Sequence, residues 1–384
     1  MPFAAAISEH PLTAHAAGEV TGSVLESIGE RPDLAIVFVT AAHAGALEDV
    51  AATVDAVLHP LVTLGAASEG VIGPHREVEA SPAVSLFAAR TGPLLPFALD
   101  TKSDPLGGVT VSGWPESIAF DPKAFVVLAD PYSFPAEAFL EWLAPHYPQV
   151  PVAGGMASGA RGPGGTRLLA QTTVRSSGAV GVAIGPGVDV ETVVSSGCKR
   201  FGQPLVVTRS DGNVIFELAG KPALERLVAQ ASSTLTPAEI DVIERGGLLL
   251  GRVVEERADA YGNGDFVMRS VLGADRRNGA IAVADTVGVG ATVQFHLRDA
   301  DSADSELAGM LGGREADGAL LFACNGRGTH LFPQPHHDAT AVAEALGPLP
   351  LGGLFVAGEL GAVGGQNFVH SLSASLVLLR DADA

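Results

Sequence analysis

Arg327 and Glu359 are the side chains of this sequence best suited to grip the two ends of a small zwitterion. Arg327 lies in Cys324-Asn325-Gly326-Arg327-Gly328, directly after the apolar run Ala319–Cys324. Asn-Gly favours a tight turn, and the glycines let backbone N–H groups come close to a bound group. A guanidinium placed there can hold a carboxylate or phosphate through paired N–H donors. Glu359 is the one charge in the stretch from Leu346 to Val369. A carboxylate in such surroundings is either aimed at a ligand, such as an ammonium group, or paired with an arginine; Arg269, Arg298 and Arg327 are the candidates. Gly361, Gly364 and Gly365 offer bare backbone, and Asn367 offers both a donor and an acceptor. His370 reads either as a ligand contact or as a core histidine with its own partner. Ser68 and Glu69 stand in a corresponding glycine-bracketed segment near the N-terminus and either close the same pocket or make a loop hydrogen bond and a solvated carboxylate. Arg269 completes the set of expected ligand contacts.

Other combinations carry less. Cys324 with His370 suggests a nucleophile and base, but a cysteine that ends an apolar strand is by default an inert core residue. Cys198 is read in the same way. His330, His336, His337 and Asp338 are spaced poorly for one metal ion, and Asp338 already suits a helix N-cap. Arg161-Gly-Pro-Gly-Gly165 lacks the Gly-Lys-Ser/Thr ending of a phosphate loop. Neither a metal nor another cofactor is expected.

These residues need strands and helices to position them, and a recurring unit supplies them. Leu34–Val39 reads as a strand. Leu47, Val50, Ala51, Val54 and Leu58 then mark one face of a helix, and Leu61–Leu64 leads into Gly65-Ala-Ala-Ser-Glu-Gly70. The second copy runs from Ala124–Ala129, through a helix burying Phe139, Leu140 and Leu143, to Gly154-Gly-Met-Ala-Ser-Gly159. The third runs from Ala319–Cys324, through a helix with Asp338 as N-cap, to Gly353-Leu-Phe-Val-Ala-Gly358. Each copy ends in glycine, four residues, glycine, which reads as a ligand-facing loop at a strand's carboxyl end. Between copies two and three the period changes to alternating strands. There Val293, Phe295 and Leu297 share one face, and Thr236-Pro-Ala-Glu239 forms a capping box. The fold class expected is α/β with mixed sheets, in two lobes, residues 1–230 and 231–384.

Composition narrows the function. Hydrophobic residues make up 47% of the 384, enough for a large core. The formal charge of −20 argues against nucleic acid and anionic membranes. No apolar run is long enough to span a bilayer, no secretory leader is evident, and two cysteines form no disulfide framework; a cytoplasmic protein is expected.

Several of these segments resemble the FIST N and FIST C domains of bacterial sensory proteins. They include Leu34–Thr40, Gly65–Gly73, Ser195–Gly202, Phe216–Gly220, Phe266–Arg269, Val293–His296, Gly318–Gly328 and, most fully, Pro350–His370. Ala362 stands where that family often has proline, and Ser371-Leu-Ser where it often has glycine, an aromatic or leucine, and threonine. The resemblance implies a signal-input module for small ligands such as amino acids, with no established catalysis and a downstream signalling partner left open. The sequence therefore points to recognition of a small polar metabolite. A Cys–His hydrolase or transferase and a protein-interaction scaffold are the alternatives.

Overall fold

The computed structural model describes residues 2–103, 108–256 and 261–382. The chain forms two compact units. The first comprises Met1–Val194 and Ala308–Ala384, and the second, Ser195–Leu307, is inserted into it. Residues on both sides of position 230 belong to the inserted unit.

The first unit holds all three copies of the strand–helix–strand pattern. Leu34–Thr40 and Val62–Ser68 flank helix Leu47–Leu58 and pair in parallel. Ala124–Ala129 and Val152–Ala157 do the same around Ala136–His146, as do Gly318–Cys324 and Leu351–Val363 around His337–Leu346. Each copy adds two more strands, which periodicity did not reveal. Val84–Ala89, Ala179–Ile184 and Ala374–Asp381 each lie antiparallel to the first strand of their pair. Phe3–Ser8, Leu94–Ser103 and Val188–Ser195 come next in the sheets. The repeat is thus a four-stranded sheet used three times, with the inserted unit lying between the first and second strands of the third copy. Copies two and three join through antiparallel pairing of Val152–Ala157 with Leu351–Val363.

The opening glycine of each bracket lies within a strand, which corrects the expectation of loops. Gly65, Gly154 and Gly353 each stand in register with a residue of the parallel partner strand: Val37, Val127 and Leu321. A Cβ on them would lie 2.3, 1.9 and 2.0 Å from the carbonyl oxygens of those residues. The glycines recur because the strand pair approaches too closely for a side chain, not because a turn needs them. Asp338 does not cap its helix. His336 occupies the N-cap position without a side-chain hydrogen bond to the helix backbone, and the Asp338 carboxylate turns to Arg327.

The second unit is an antiparallel barrel. Its ladder runs Cys198–Asp211, Thr292–Arg298, Leu248–Val253, Phe266–Asp275, Ala280–Val283 and Val214–Leu218, and closes back on Cys198–Asp211. Val293, Phe295 and Leu297 face its core, as their alternation predicts. The capping box forms: Thr236 N–H donates to Glu239 Oε2 at 2.7 Å, and the Thr236 hydroxyl accepts from Glu239 N–H.

Candidate functional site

The carboxyl ends of the parallel strands meet at a crevice of about 430 Å³ in the first unit. Ala41 and Asn325 reach it from the ends of two first strands, Glu69 and Ser158 from the ends of two second strands, and Phe355 from within the third copy's long strand. Beneath it, the hydroxyls of Ser68 and Ser158 lie 3.0 Å apart, and each donates to the carbonyl oxygen of Phe355, at 2.5 and 2.7 Å. They accept from the backbone N–H groups of Gly70 and Glu69 respectively. Residues of all three copies are thereby tied together under the crevice. Polar groups inside a protein need such partners, so this junction is a rigid base rather than a reactive one.

The crevice walls carry charge of both signs. Glu69 is exposed and has Asn325 Nδ2 at 3.4 Å. Glu79 accepts from the Thr329 N–H and hydroxyl at 3.0 and 3.1 Å. Arg161 and His330 line the remainder, and both are exposed. Ser158, Glu79, Arg161 and Thr329 were missed from sequence as site residues. Ser158 lay in the second bracket and was open to discovery there. Arg161 gives no such signal, because its segment lacks the ending of a phosphate loop.

Several expected contacts do something else. The Arg327 side chain is fully buried. Its guanidinium grips Asp338 through Nε–Oδ2 at 2.7 Å and Nη2–Oδ1 at 2.8 Å, and packs over the Phe332 ring. The anion expected at Arg327 is thus part of the protein. Gly328, at φ 53°, lets the backbone approach a carboxylate, but that carboxylate is Glu79, which a Cβ would meet at 2.6 Å. Gly326 precedes Gly328 in the same turn, and its N–H donates to the Cys324 sulfur across 3.5 Å between nitrogen and sulfur. Glu359 is also fully buried and accepts from the Ser373 N–H and hydroxyl at 3.0 and 2.5 Å. Gly361 is buried where a Cβ would stand 2.4 Å from Val194 Cγ2. Gly364 and Gly365, at φ 58° and 75°, form an exposed two-residue hairpin turn between Val363 and Gln366. Asn367 bonds Val152 N–H and Val150 C=O at 2.8 and 2.9 Å, extending a strand edge. His370 Nε2 lies 3.1 Å from the Gly361 carbonyl oxygen. Arg269 belongs to the second unit, where it pairs with Asp285 at 2.9 Å. Of the expected contacts, the crevice gathers Glu69 and Asn325, with Ser68 beneath them. The histidines beside Arg327 serve different partners: His336 Nδ1 accepts from Glu77 N–H, while His337 stacks on Phe332 and reaches Asp338.

The buried charges set one another's ionisation. Burial pushes Asp338 up, but the Arg327 guanidinium outweighs it and holds the carboxyl well below the usual range. Burial, with repulsion from Asp338, raises Glu77 to about 8. Burial raises Glu359 to about 7 against the hydrogen bonds from Ser373. Burial and the Glu359 carboxyl raise the Cys324 thiol to about 12, which disfavours the thiolate that a nucleophile requires.

A pH dependence follows. Glu77 and Glu359 have an ordinary value of 4.5, so between there and about 8 and 7 the folded chain binds more protons than the unfolded one. Their contribution to stability therefore falls as pH rises through that window. Urea titrations at pH 5 and pH 8 should show this component as a lower midpoint at pH 8, and Glu77→Gln should flatten the dependence. An unchanged pH dependence in Glu77→Gln would mean that Glu77 titrates normally.

Comparison with known proteins gives a consistent result. The profile of the FIST N domain matches residues 33–221, and that of the FIST C domain matches 223–362. An uncharacterized protein of Mycobacterium tuberculosis is 38% identical over 391 residues, covering 99% of this chain and all of the relative. An uncharacterized protein of Mycobacterium bovis is 39% identical over 382 residues, covering 97% of each.

Proposed function

The chain belongs to the FIST family, whose domains are associated with sensory and signal-transduction roles, and from that premise we propose that it is a sensor of a small amino acid-like metabolite held in the crevice. The observation that carries this reading is the convergence of strand ends from all three copies on one cavity with charges of both signs. Ligands of open α/β sheets settle at the carboxyl ends of strands. About 430 Å³ lies within the usual range for a small-molecule pocket. In this reading Arg161 takes the ligand carboxylate and Glu69 the ammonium group. Asn325 and Ser158 supply directional hydrogen bonds. The Arg327–Glu359 pair expected from sequence is replaced by Arg161–Glu69, because Arg327 already holds Asp338.

The test is a melting screen of the full chain against the amino acids, small dicarboxylates and nucleotides. A cognate ligand at one hundred times its dissociation constant stabilises the fold by about 2.7 kcal/mol. The expected result is a rise in Tm with an amino acid that is lost in both Arg161→Ala and Glu69→Gln. A rise that survives both substitutions would place the ligand elsewhere, and no rise with any compound would remove the reading.

A further inference from the structure

Both tryptophans of the chain sit in one groove of about 330 Å³, lined by Val109, Val111, Trp114, Pro135, Phe139 and Trp142. One wall is the strand Val109–Ser112, which ends the larger sheet of the first unit. Among the described residues it pairs on one side alone, with Leu94–Ser103. Its outer edge therefore presents the N–H and C=O groups of an unfinished ladder. The other wall is the start of helix Ala136–His146. Val109 is 45% exposed and Trp142 43%, although Trp114 beside them packs against Phe97, Phe125 and Phe139. Exposed carboxylates flank the lining residues: Glu141 lies one helical turn on from Ala138, and Glu116 follows Trp114 by two residues. The one cation on the strand ladder is Lys102, in register with Thr110 on the inner strand.

We propose that this groove docks an extended segment of a partner protein, which adds a strand to the edge Val109–Ser112, places an aliphatic or aromatic side chain against Trp114 and Trp142, and sets lysine or arginine against Glu116 and Glu141. Strand addition gains affinity from the main-chain ladder and specificity from alternate side chains. Tryptophan-lined pockets are where interface energy concentrates. Charge selects the occupant. A second copy of this chain would bring the same carboxylates face to face on a molecule of formal charge −20, whereas a basic segment is drawn in.

Because no tryptophan lies elsewhere, fluorescence excited selectively at tryptophan reads the groove in the full chain. The probes are capped octapeptides with Val, Leu or Phe at alternate positions and Lys or Arg at both ends. One control set carries Glu at the ends, and another is N-methylated on alternate amides. The expected result is a saturable blue shift with the basic peptides, at least tenfold tighter than with the acidic set and weaker as salt rises. N-methylation of one register abolishes it. Trp142→Ser, which keeps Trp114 as reporter, weakens it at least tenfold while leaving Tm close to the parent. The proposal is overturned if no basic peptide gives a saturable shift, or if the acidic peptides bind equally well. It is also overturned if sedimentation shows that the chain alone dimerises and Trp142→Ser dissolves the dimer, since the occupant is then a second copy.

Discussion

Gly154→Ala is expected to destabilise the protein by about 3–5 kcal/mol, a large share of the stability of an ordinary domain, read as a lower urea midpoint. Two costs combine at this position. The new Cβ would lie 1.9 Å from the carbonyl oxygen of Val127, a contact that no rotamer relieves because Cβ is fixed by the backbone. Gly154 also has φ 132°, which L side chains rarely adopt. The strand cannot shift easily, since it is paired on both sides, with Ala124–Ala129 and with Leu351–Val363. Gly353→Ala and Gly65→Ala are expected to follow in that order, with gaps of 2.0 and 2.3 Å and no positive φ. Gly45→Ala is the control: it is exposed, with nothing within 4 Å of a Cβ there, and its urea midpoint should match the parent. A parental midpoint for Gly154→Ala would show that the repeat's strands are not packed this closely.

The second large effect is expected at Arg327. Arg327→Ala leaves the Asp338 carboxylate fully buried without its guanidinium, and breaking such a pair from one side costs about 3–5 kcal/mol. Removing both partners is different. Arg327→Met with Asp338→Leu substitutes apolar volume for the pair and should recover most of the loss, because neither member is left charged without the other. Arg327→Lys should not rescue, since an ammonium group cannot match both oxygens of Asp338 at 2.7 and 2.8 Å. A double-mutant cycle on urea midpoints gives the coupling directly. If the double variant is as unstable as Arg327→Ala, the cost comes from lost packing against Phe332 rather than from an orphaned charge. The cycle also bears on ligand recognition. Were Arg327 the ligand's anchor, Arg327→Met with Asp338→Leu would abolish any melting shift, whereas an anchor at Arg161 leaves the shift intact.

Local chemistry was legible where a residue acts on its own neighbours. The apolar periods of Leu34–Val39, Ala124–Ala129 and Ala319–Cys324 announced buried strands. Glycines at matching distances announced a repeat. Thr236-Pro-Ala-Glu239 announced a helix start, and each of these is observed. Family membership was legible for the same reason, since it rests on short stretches such as Pro350–His370. The role of the opening glycines was not legible. A glycine reads the same way whether it is needed for a turn or for a close approach, and the carbonyl that decides the matter belongs to another strand.

The sequence by itself determined the α/β class, the threefold use of one strand–helix–strand unit and the family. Those depend on periodicity and spacing along the chain. Only the tertiary structure decided which charges face the crevice. Arg327, Glu359 and Arg161 are each a charge among small or apolar residues, and chain position does not say which is neutralised from within. The answer depends on Asp338 folding back on Arg327, on Ser373 reaching Glu359, and on Glu79 crossing to Thr329. A charge's partner is set by distance in space through Coulomb and hydrogen-bond energies, and the helices and strands between the partners fix that distance.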